Sequence, residues 1–174
     1  NTNSPADPGT MIVPNLSEVE SDIITGIAGK RGFTVIALEK AKMNAELGFG
    51  RRVLTALENN GIRFEHMPSG IDTLSVVIAN SEMDGKQPQL LDDVYNLCQP
   101  DSLEVFRGMA LIATVGRGMI RRVGVAARIF AALARAQVNI RMIDQGSSEI
   151  NIIVGVDEKD FEKAIRAIYT EFCG

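Results

Sequence analysis

The sequence predicts an α+β protein made of two βαββαβ units, and three observations lead to this prediction. Residues 47–78 and 123–154 are similar in one ungapped register, in which Gly48 aligns with Gly124. In each copy, short β-branched runs alternate with segments whose apolar residues recur at helical spacing. Glycine, proline and asparagine separate these runs. A single register through helix, turn and hairpin indicates an internal duplication.

The first copy has the pattern strand, helix, two strands, helix, strand. Residues 33–38 (FTVIAL) are apolar and β-branched, which is typical of a buried strand. Residues 51–60 carry apolar side chains at helical spacing, and Gly61 follows as a residue that favours the left-handed conformation after a helix. The remaining predicted elements are a hairpin with strands at 62–67 and 73–78, a helix over 88–98 and a strand over 102–106.

The second copy lacks one strand of this pattern. A ferredoxin-like sheet needs four strands, and without the fourth an apolar strand edge would lie open. A strand-like run within 21–29 precedes the first copy, so we expect residues 23–28 to cross over and complete the second sheet. The alternative is that this run extends the first sheet. The other predicted elements of the second copy are strands at 109–115, 138–143 and 149–156 and helices at 125–136 and 159–172.

These assignments divide the chain into three regions. Residues 1–20 contain Pro5, Pro8 and Pro14, which fix φ and remove donors, so we expect an extended linker there. The first unit is predicted to comprise residues 32–107. The second unit is predicted to comprise residues 21–29 plus 108–174, which makes the first unit an insertion in the second.

Composition excludes several classes of protein. The formal net charge is −4 and the sequence pI is near 5.1, so the chain has no basic field for nucleic acid or an anionic membrane surface. No signal peptide or membrane span is predicted, and we expect a cytoplasmic protein. The two cysteines have no spacing suited to a metal or redox site.

The motifs GFGRRVLTALENNGI and GVAARIFAALARAQVNIRMIDQGSSEINIIV resemble the paired ACT domains at the C-terminus of aspartate kinase. The opening NTNSPADPGTMIVP is similar to the segment that connects the kinase domain to this regulatory part. The resemblance implies no catalytic and no metal-binding residue in this chain, because the kinase domain lies upstream and is where ATP, magnesium and aspartate bind. It implies instead feedback inhibition by an end-product amino acid, lysine or threonine.

Part of an amino-acid site follows from the chemistry of the residues. A carboxylate suits the N–H groups at a helix N-terminus, and glycines at Gly48 and Gly50 permit its close approach. An ammonium group suits the acids Glu65 and Asp72. Phe49 and other apolar side chains would cover an aliphatic stem. The resemblance implies the full effector site, which is Met43, Asn44, Gly48, Phe49, Gly50, Glu65, His66, Asp72 and Thr73.

The corresponding positions of the second copy carry different chemistry, with hydroxyl and amide groups in its QGSS hairpin. We therefore expect the second unit to form an interface or a weaker site. Its predicted residues are Met119, Gly124, Val125, Asp144, Gln145, Ser147 and Ser148.

Three other functions remain open at this point. RNA-recognition domains share the βαββαβ order, but their strands display aromatic side chains that TLSVVI and EINIIV lack. A stand-alone ACT protein or a separate small regulatory subunit would have the same sequence features. A purely structural dimerisation module without ligand is the third. A homodimer through the ACT units is expected, since such small units have modest cores.

Overall fold

The computed structural model describes residues 23–174, which form one five-stranded antiparallel sheet in the order β2-β1-β3-β5-β4. The predicted linker 1–20 lies outside the described residues. The elements are β1 (Gly26–Glu39), α1 (Phe49–Asn59), β2 (Thr73–Ala79), α2 (Asn80–Met83), α3 (Gln87–Cys98), β3 (Ser102–Val115), α4 (Val125–Arg135), β4 (Met142–Asp144), β5 (Asn151–Asp157) and α5 (Phe161–Cys173).

The two central strands, β1 and β3, serve both units. Each has 14 residues, and they pair from Gly26 with Val115 to Glu39 with Ser102. The second half of β1 pairs with β2, whereas the second half of β3 pairs with β5. The run before the first copy thus lies beside the first strand of the second copy. The predicted fold class, including the crossover, is confirmed.

A break in both long strands separates the two units. The β1–β3 register shifts between Arg31 and Val35, and Gly32 and Gly108 have φ values of 84° and 69°. Glycine takes such values without the steric cost that a Cβ would bring. The boundaries 32–107 and 21–29 plus 108–174 stay predictions, because each strand continues through the break.

Two predicted hairpin strands are wrong or shortened. Residues 62–67 form no named strand, and only isolated bridges join His66 to Val77 and Ser69 to Leu74. Pro68 directly follows this run and supplies no N–H for a ladder. The strand predicted at 138–143 is limited to β4 (Met142–Asp144). The short helix α2 was not predicted.

The helices cover one face of each unit. Buried side chains beneath α1 and α3, such as Leu38, Leu57 and Ile78, form the first core. Ile112, Leu133 and other buried residues beneath α4 and α5 form the second core.

A third cluster joins the faces that carry no helices. It contains Phe33, Val35 and Val77 of the first unit with Met109, Leu111 and Ile153 of the second. His66 beside β2 and Asp144 in β4 belong to opposite edges of the strand order, yet their side chains meet at 3.0 Å. The sheet therefore folds back on itself at the glycine break, and its two halves face each other.

Candidate functional site

The first unit places a glycine-led helix start where a site was predicted. Gly48 has φ 76° and precedes α1, whose first turn carries no side-chain cap. Met43 and Phe49 are buried at 6% and 3% exposure, so their side chains fill the space behind this loop. Exposed N–H groups at a helix start attract a carboxylate.

An ion-pair network that sequence reasoning missed holds this loop. Glu46 pairs with Lys40 at 3.2 Å and also with Arg52. Both cations lie over the ring of Phe49, at 5.9 and 5.6 Å from its centroid. Arg52 also donates to the carbonyl of Leu47 at 3.2 Å. The sequence signal for this network was the set of charged residues that flank the glycine-rich loop. Which of these charges pair is seen only in the fold.

The hairpin side of the predicted site contacts the same loop. Asp72 accepts a hydrogen bond from the Lys42 N–H at its Oδ1, 2.8 Å away. The Asn44 N–H donates to the carbonyl of Ile71 at 3.1 Å. The structure thus brings Met43, Asn44 and Asp72 together, with Thr73 next in the chain.

Glu65 and His66, by contrast, contact the second unit. The Lys30 Nζ lies 3.3 Å from the Glu65 Oε1, and His66 Nδ1 lies 3.0 Å from the Asp144 Oδ2. Lys30 belongs to the half of β1 that completes the second unit's sheet. The predicted residues therefore fall into two groups, one at the α1 loop and one at the boundary between units.

The equivalent loop of the second unit borders an open cavity of about 340 Å³. Gly124, with φ 92°, precedes α4 as Gly48 precedes α1. Glu149 accepts a hydrogen bond from the Arg121 N–H at 2.6 Å and closes one side. The lining residues are Met119, Arg121, Arg122, Val123, Gly124, Val125, Ala126, Gln145, Glu149 and Ile152.

Four residues predicted for the second unit meet at this cavity: Met119, Gly124, Val125 and Gln145. Asp144 turns toward His66, and Ser147 and Ser148 are exposed outside the lining. Sequence reasoning did not assign Arg121 and Arg122 to the site. Two adjacent arginines directly before a glycine-led helix were the signal for them.

A buried hydroxyl lies in the strand beneath this cavity. Thr114 is 1% exposed, and its Oγ1 has no hydrogen-bond partner among residues 23–174. It pairs in register with Ile152, which lines the cavity. A buried hydroxyl without a partner is costly, so this position favours a polar neighbour.

Neither a metal centre nor a membrane segment is found in the described part of the chain. Residues 23–174 contain no group of three or more histidine, cysteine or acidic side chains that could hold a metal ion. None of the helices between these residues is long and apolar enough to cross a bilayer.

Comparison with known proteins places the chain in a family. The model of the ACT domain family matches residues 112–172. Aspartokinase 3 of Bacillus subtilis is 40% identical over 173 residues, which are 99% of this chain and 38% of that protein. The crystal structure of aspartate kinase from Clostridium acetobutylicum has 54% identity and a TM-score of 0.93, covering 99% of this chain and 40% of that one. The chain belongs with the ACT-domain regulatory regions of aspartate kinases.

A further structure shows how much of a protein this regulatory region spans. The crystal structure of aspartokinase alpha and beta subunits has a chain with 27% identity and a TM-score of 0.74, of which the regulatory region covers 98%. The regulatory region spans 38% of the Bacillus subtilis protein and 40% of the Clostridium acetobutylicum chain. It therefore corresponds to less than half of the full-length relatives.

Proposed function

We propose that this regulatory region binds an end-product amino acid, lysine or threonine, and thereby inhibits aspartate phosphorylation. The kinase domain would lie in the same polypeptide or in a catalytic subunit, and it would use ATP and magnesium. The duplicated helix start carries this proposal. Gly48 and Gly124 both have positive φ, and each opens a helix toward a hairpin of its own unit.

The first unit supplies the proposed effector site. The N-terminus of α1 would receive the carboxylate, Met43 and Phe49 would contact the aliphatic stem, and Asp72 would attract the ammonium group beside this loop. Glu65 would attract a second ammonium group from the boundary between the units. Asn44, Gly50, His66 and Thr73 complete the proposed set. Asp72 already accepts a hydrogen bond from the Lys42 N–H, so ligand binding would add to or replace this contact.

The cavity of the second unit suits an amino acid with a single ammonium group. Arg121 and Arg122 favour a carboxylate, and Glu149 is the one acid in the lining. A ligand such as threonine fits this balance of charges better than lysine does.

Exposed apolar side chains support a homodimer that covers both loops. Leu47 is 95% exposed and Val123 is 99% exposed, and they occupy equivalent positions of the two copies. Burial of such apolar side chains against a second chain removes them from water, which is favourable. We propose that the ACT units of a second copy cover these residues and close the sites.

Calorimetry tests the effector site. Lysine and threonine are titrated into the chain, and into variants Glu65→Ala and Glu58→Ala. Glu58 is an exposed acid of α1 outside the proposed set, so it is the matched control. We expect Glu65→Ala to weaken binding of the effector at least about tenfold, as removal of one charged partner does. No heat with either amino acid would overturn the proposal.

The same preparation tests the alternative function. A dimer in solution that binds neither amino acid would indicate a dimerisation module or a small subunit without ligand. If binding is found, a full-length kinase should show inhibition of about 5–150-fold, the range of coupling free energies of 1–3 kcal/mol. Inhibition that persists in the Glu65→Ala enzyme would remove this residue from the effector site.

A further inference from the structure

A separate cavity of about 240 Å³ lies between the two units, on the sheet faces that carry no helices. It is distinct from both loop sites described above. The first unit contributes four of its lining residues and the second unit three. They are Val35, Ala37, Ser75, Phe106, Met109, Arg141 and Met142.

Small side chains on the first unit's sheet create this space. Ala37 lies directly opposite Ser75 in the β1–β2 register, next to the bulkier pair of Val35 and Val77. The valine pair is buried in the cluster between the units, whereas the alanine and serine pair is half-buried. The two halves of the sheet are in contact at the valines, and a gap remains beside this pair.

The opposite wall is made of adaptable side chains. Met109 and Met142 pack over Gly155, where an added Cβ would lie 3.0 Å from the Met142 Cβ and 3.3 Å from the Met109 Cε. Methionine has three rotatable bonds and adjusts to irregular apolar shapes. This wall can therefore fit ligands of slightly different shape.

One end of the cavity is lined by Arg141, and an acid just outside the lining pairs with it. The Arg141 guanidinium lies 5.3 Å from the centroid of the Phe106 ring, and its Nη1 donates to the Asp157 Oδ1 at 2.8 Å. Both side chains are about one-third exposed, at 32% and 30%. A guanidinium has five N–H donors, so this contact leaves donors for a second carboxylate.

We propose that this cavity binds a free α-amino acid with an apolar side chain, of the size of leucine or methionine. Arg141 would donate to the ligand carboxylate, and Asp157, which is paired with Arg141 just outside the lining, would accept from the ligand's ammonium group. The side chain would lie between Ala37, Phe106 and the two methionines. An apolar cavity of about 150 Å³ already holds a benzene-sized molecule, so the volume is sufficient.

The same lining disfavours lysine. A second ammonium group would have to leave water for a space walled by Val35, Ala37 and methionine, where the Ser75 hydroxyl alone cannot replace the lost hydration. The ligand would contact strands of both units at once. Its binding would therefore hold the two units in one relative arrangement, apart from whatever occupies the loop sites.

Methyl NMR of the chain labelled at its methionines tests the proposal with L-leucine as the probe. We expect the methyl signals of Met109 and Met142 to shift on titration, while those of Met43 and Met83 in the first core stay unchanged. Ala37→Leu fills the cavity and should abolish the shifts. Ala28→Leu, on the exposed part of the same strand, is the matched control and should preserve them.

Charge variants and a second filling variant complete the experiment. Arg141→Gln should weaken leucine binding at least about tenfold, because a charged donor to the carboxylate is lost. Ser75→Leu replaces Ala37→Leu if the latter does not fold. Glu65→Ala should leave leucine binding unchanged, which separates this proposal from the effector site. The proposal is overturned if neither methionine signal shifts, or if the shifts survive in the filled variants.

Discussion

The two units have the same order of elements, but the loop before the first helix has different side-chain contacts in each. In the first unit, Glu46 ties this loop to Lys40 and Arg52, and the Phe49 ring fills it. In the second unit, the equivalent loop borders an open cavity with Arg121 on one side. Duplication preserved the glycine that opens the helix, while the side chains around it diverged. The copies therefore offer two chemically different places for a small ligand.

The helix pairs of the two units are also joined by different means. Asn60 after α1 donates to Asp93 in α3 at 2.7 Å. In the second unit, Glu171 in α5 pairs with both Arg128 and Arg135 in α4. An amide contact in one copy thus corresponds to a three-membered ion network in the other.

Replacement of equivalent core leucines should give the largest loss of stability, and it tests whether the two cores contribute equally. Leu57 and Leu133 occupy aligned positions and are 3% and 0% exposed. Each Leu→Ala change should lower the free energy of unfolding by about 2–5 kcal/mol, through lost burial and the cavity left behind. Urea denaturation measures both variants. If one variant loses about 2–5 kcal/mol and the other falls outside this range, the two cores are not equivalent.

The glycines before α1 and α4 give an intermediate effect. With φ values of 76° and 92°, Gly48→Ala and Gly124→Ala should each cost about 1–2 kcal/mol. An added Cβ at Gly124 meets no atom within 4 Å, whereas at Gly48 it lies 3.7 Å from the Arg51 Nε, an ordinary contact. Both costs should thus be conformational and similar. An unchanged melting temperature for either variant would contradict a conformational cost at that glycine.

The Glu171 network predicts a pH-dependent contribution to the stability of the second unit. Hydrogen bonds from Arg128 and then Arg135 hold the pKa of the Glu171 carboxyl below its usual value. A lowered folded-state pKa stabilises above the unfolded pKa, and this contribution is lost as pH falls through the folded pKa. Glu171→Gln should therefore lower the melting temperature at pH 7. The difference from the unchanged chain should shrink as pH falls through the lowered pKa of Glu171, and a constant difference in acid would refute the assignment.

The cysteines that end α3 and α5 sharpen the comparison without changing stability. Burial raises the pKa of the Cys98 thiol, whereas Cys173 is exposed. A thiol reagent at pH 8 should modify Cys173 in the folded chain and Cys98 only after denaturation, since the thiolate is the reactive form. Mass spectrometry of the labelled peptides reads this directly. Rapid labelling of Cys98 would show that the first helix pair opens more readily than its burial implies.

The sequence alone was sufficient to predict the architecture, because the predicted strands of the two copies could be counted and compared. An absent fourth strand and an unused run before the first copy together required the crossover that β1 and β3 display. Periodicity failed where pairing is sparse, as at residues 62–67, where Pro68 limits the ladder to isolated bridges.

The contacts between units could not be read from the sequence. They depend on how far the sheet folds back at Gly32 and Gly108, and no local pattern encodes that angle. His66 and Asp144 were both assigned to sites, but to separate ones, because nothing in their spacing indicates that they meet. The ion pair of Arg141 and Asp157 within the second unit was not predicted either.

The shared strands impose an order on synthesis. The first half of β1 leaves the ribosome before its hydrogen-bonding neighbour in β3, which is encoded about 90 residues later, as the pairing of Gly26 with Val115 shows. The inserted unit can close its own ladder in the meantime, while the outer unit must wait with one edge uncovered. The nascent chain is therefore most exposed to faulty association in the interval before β3 is translated.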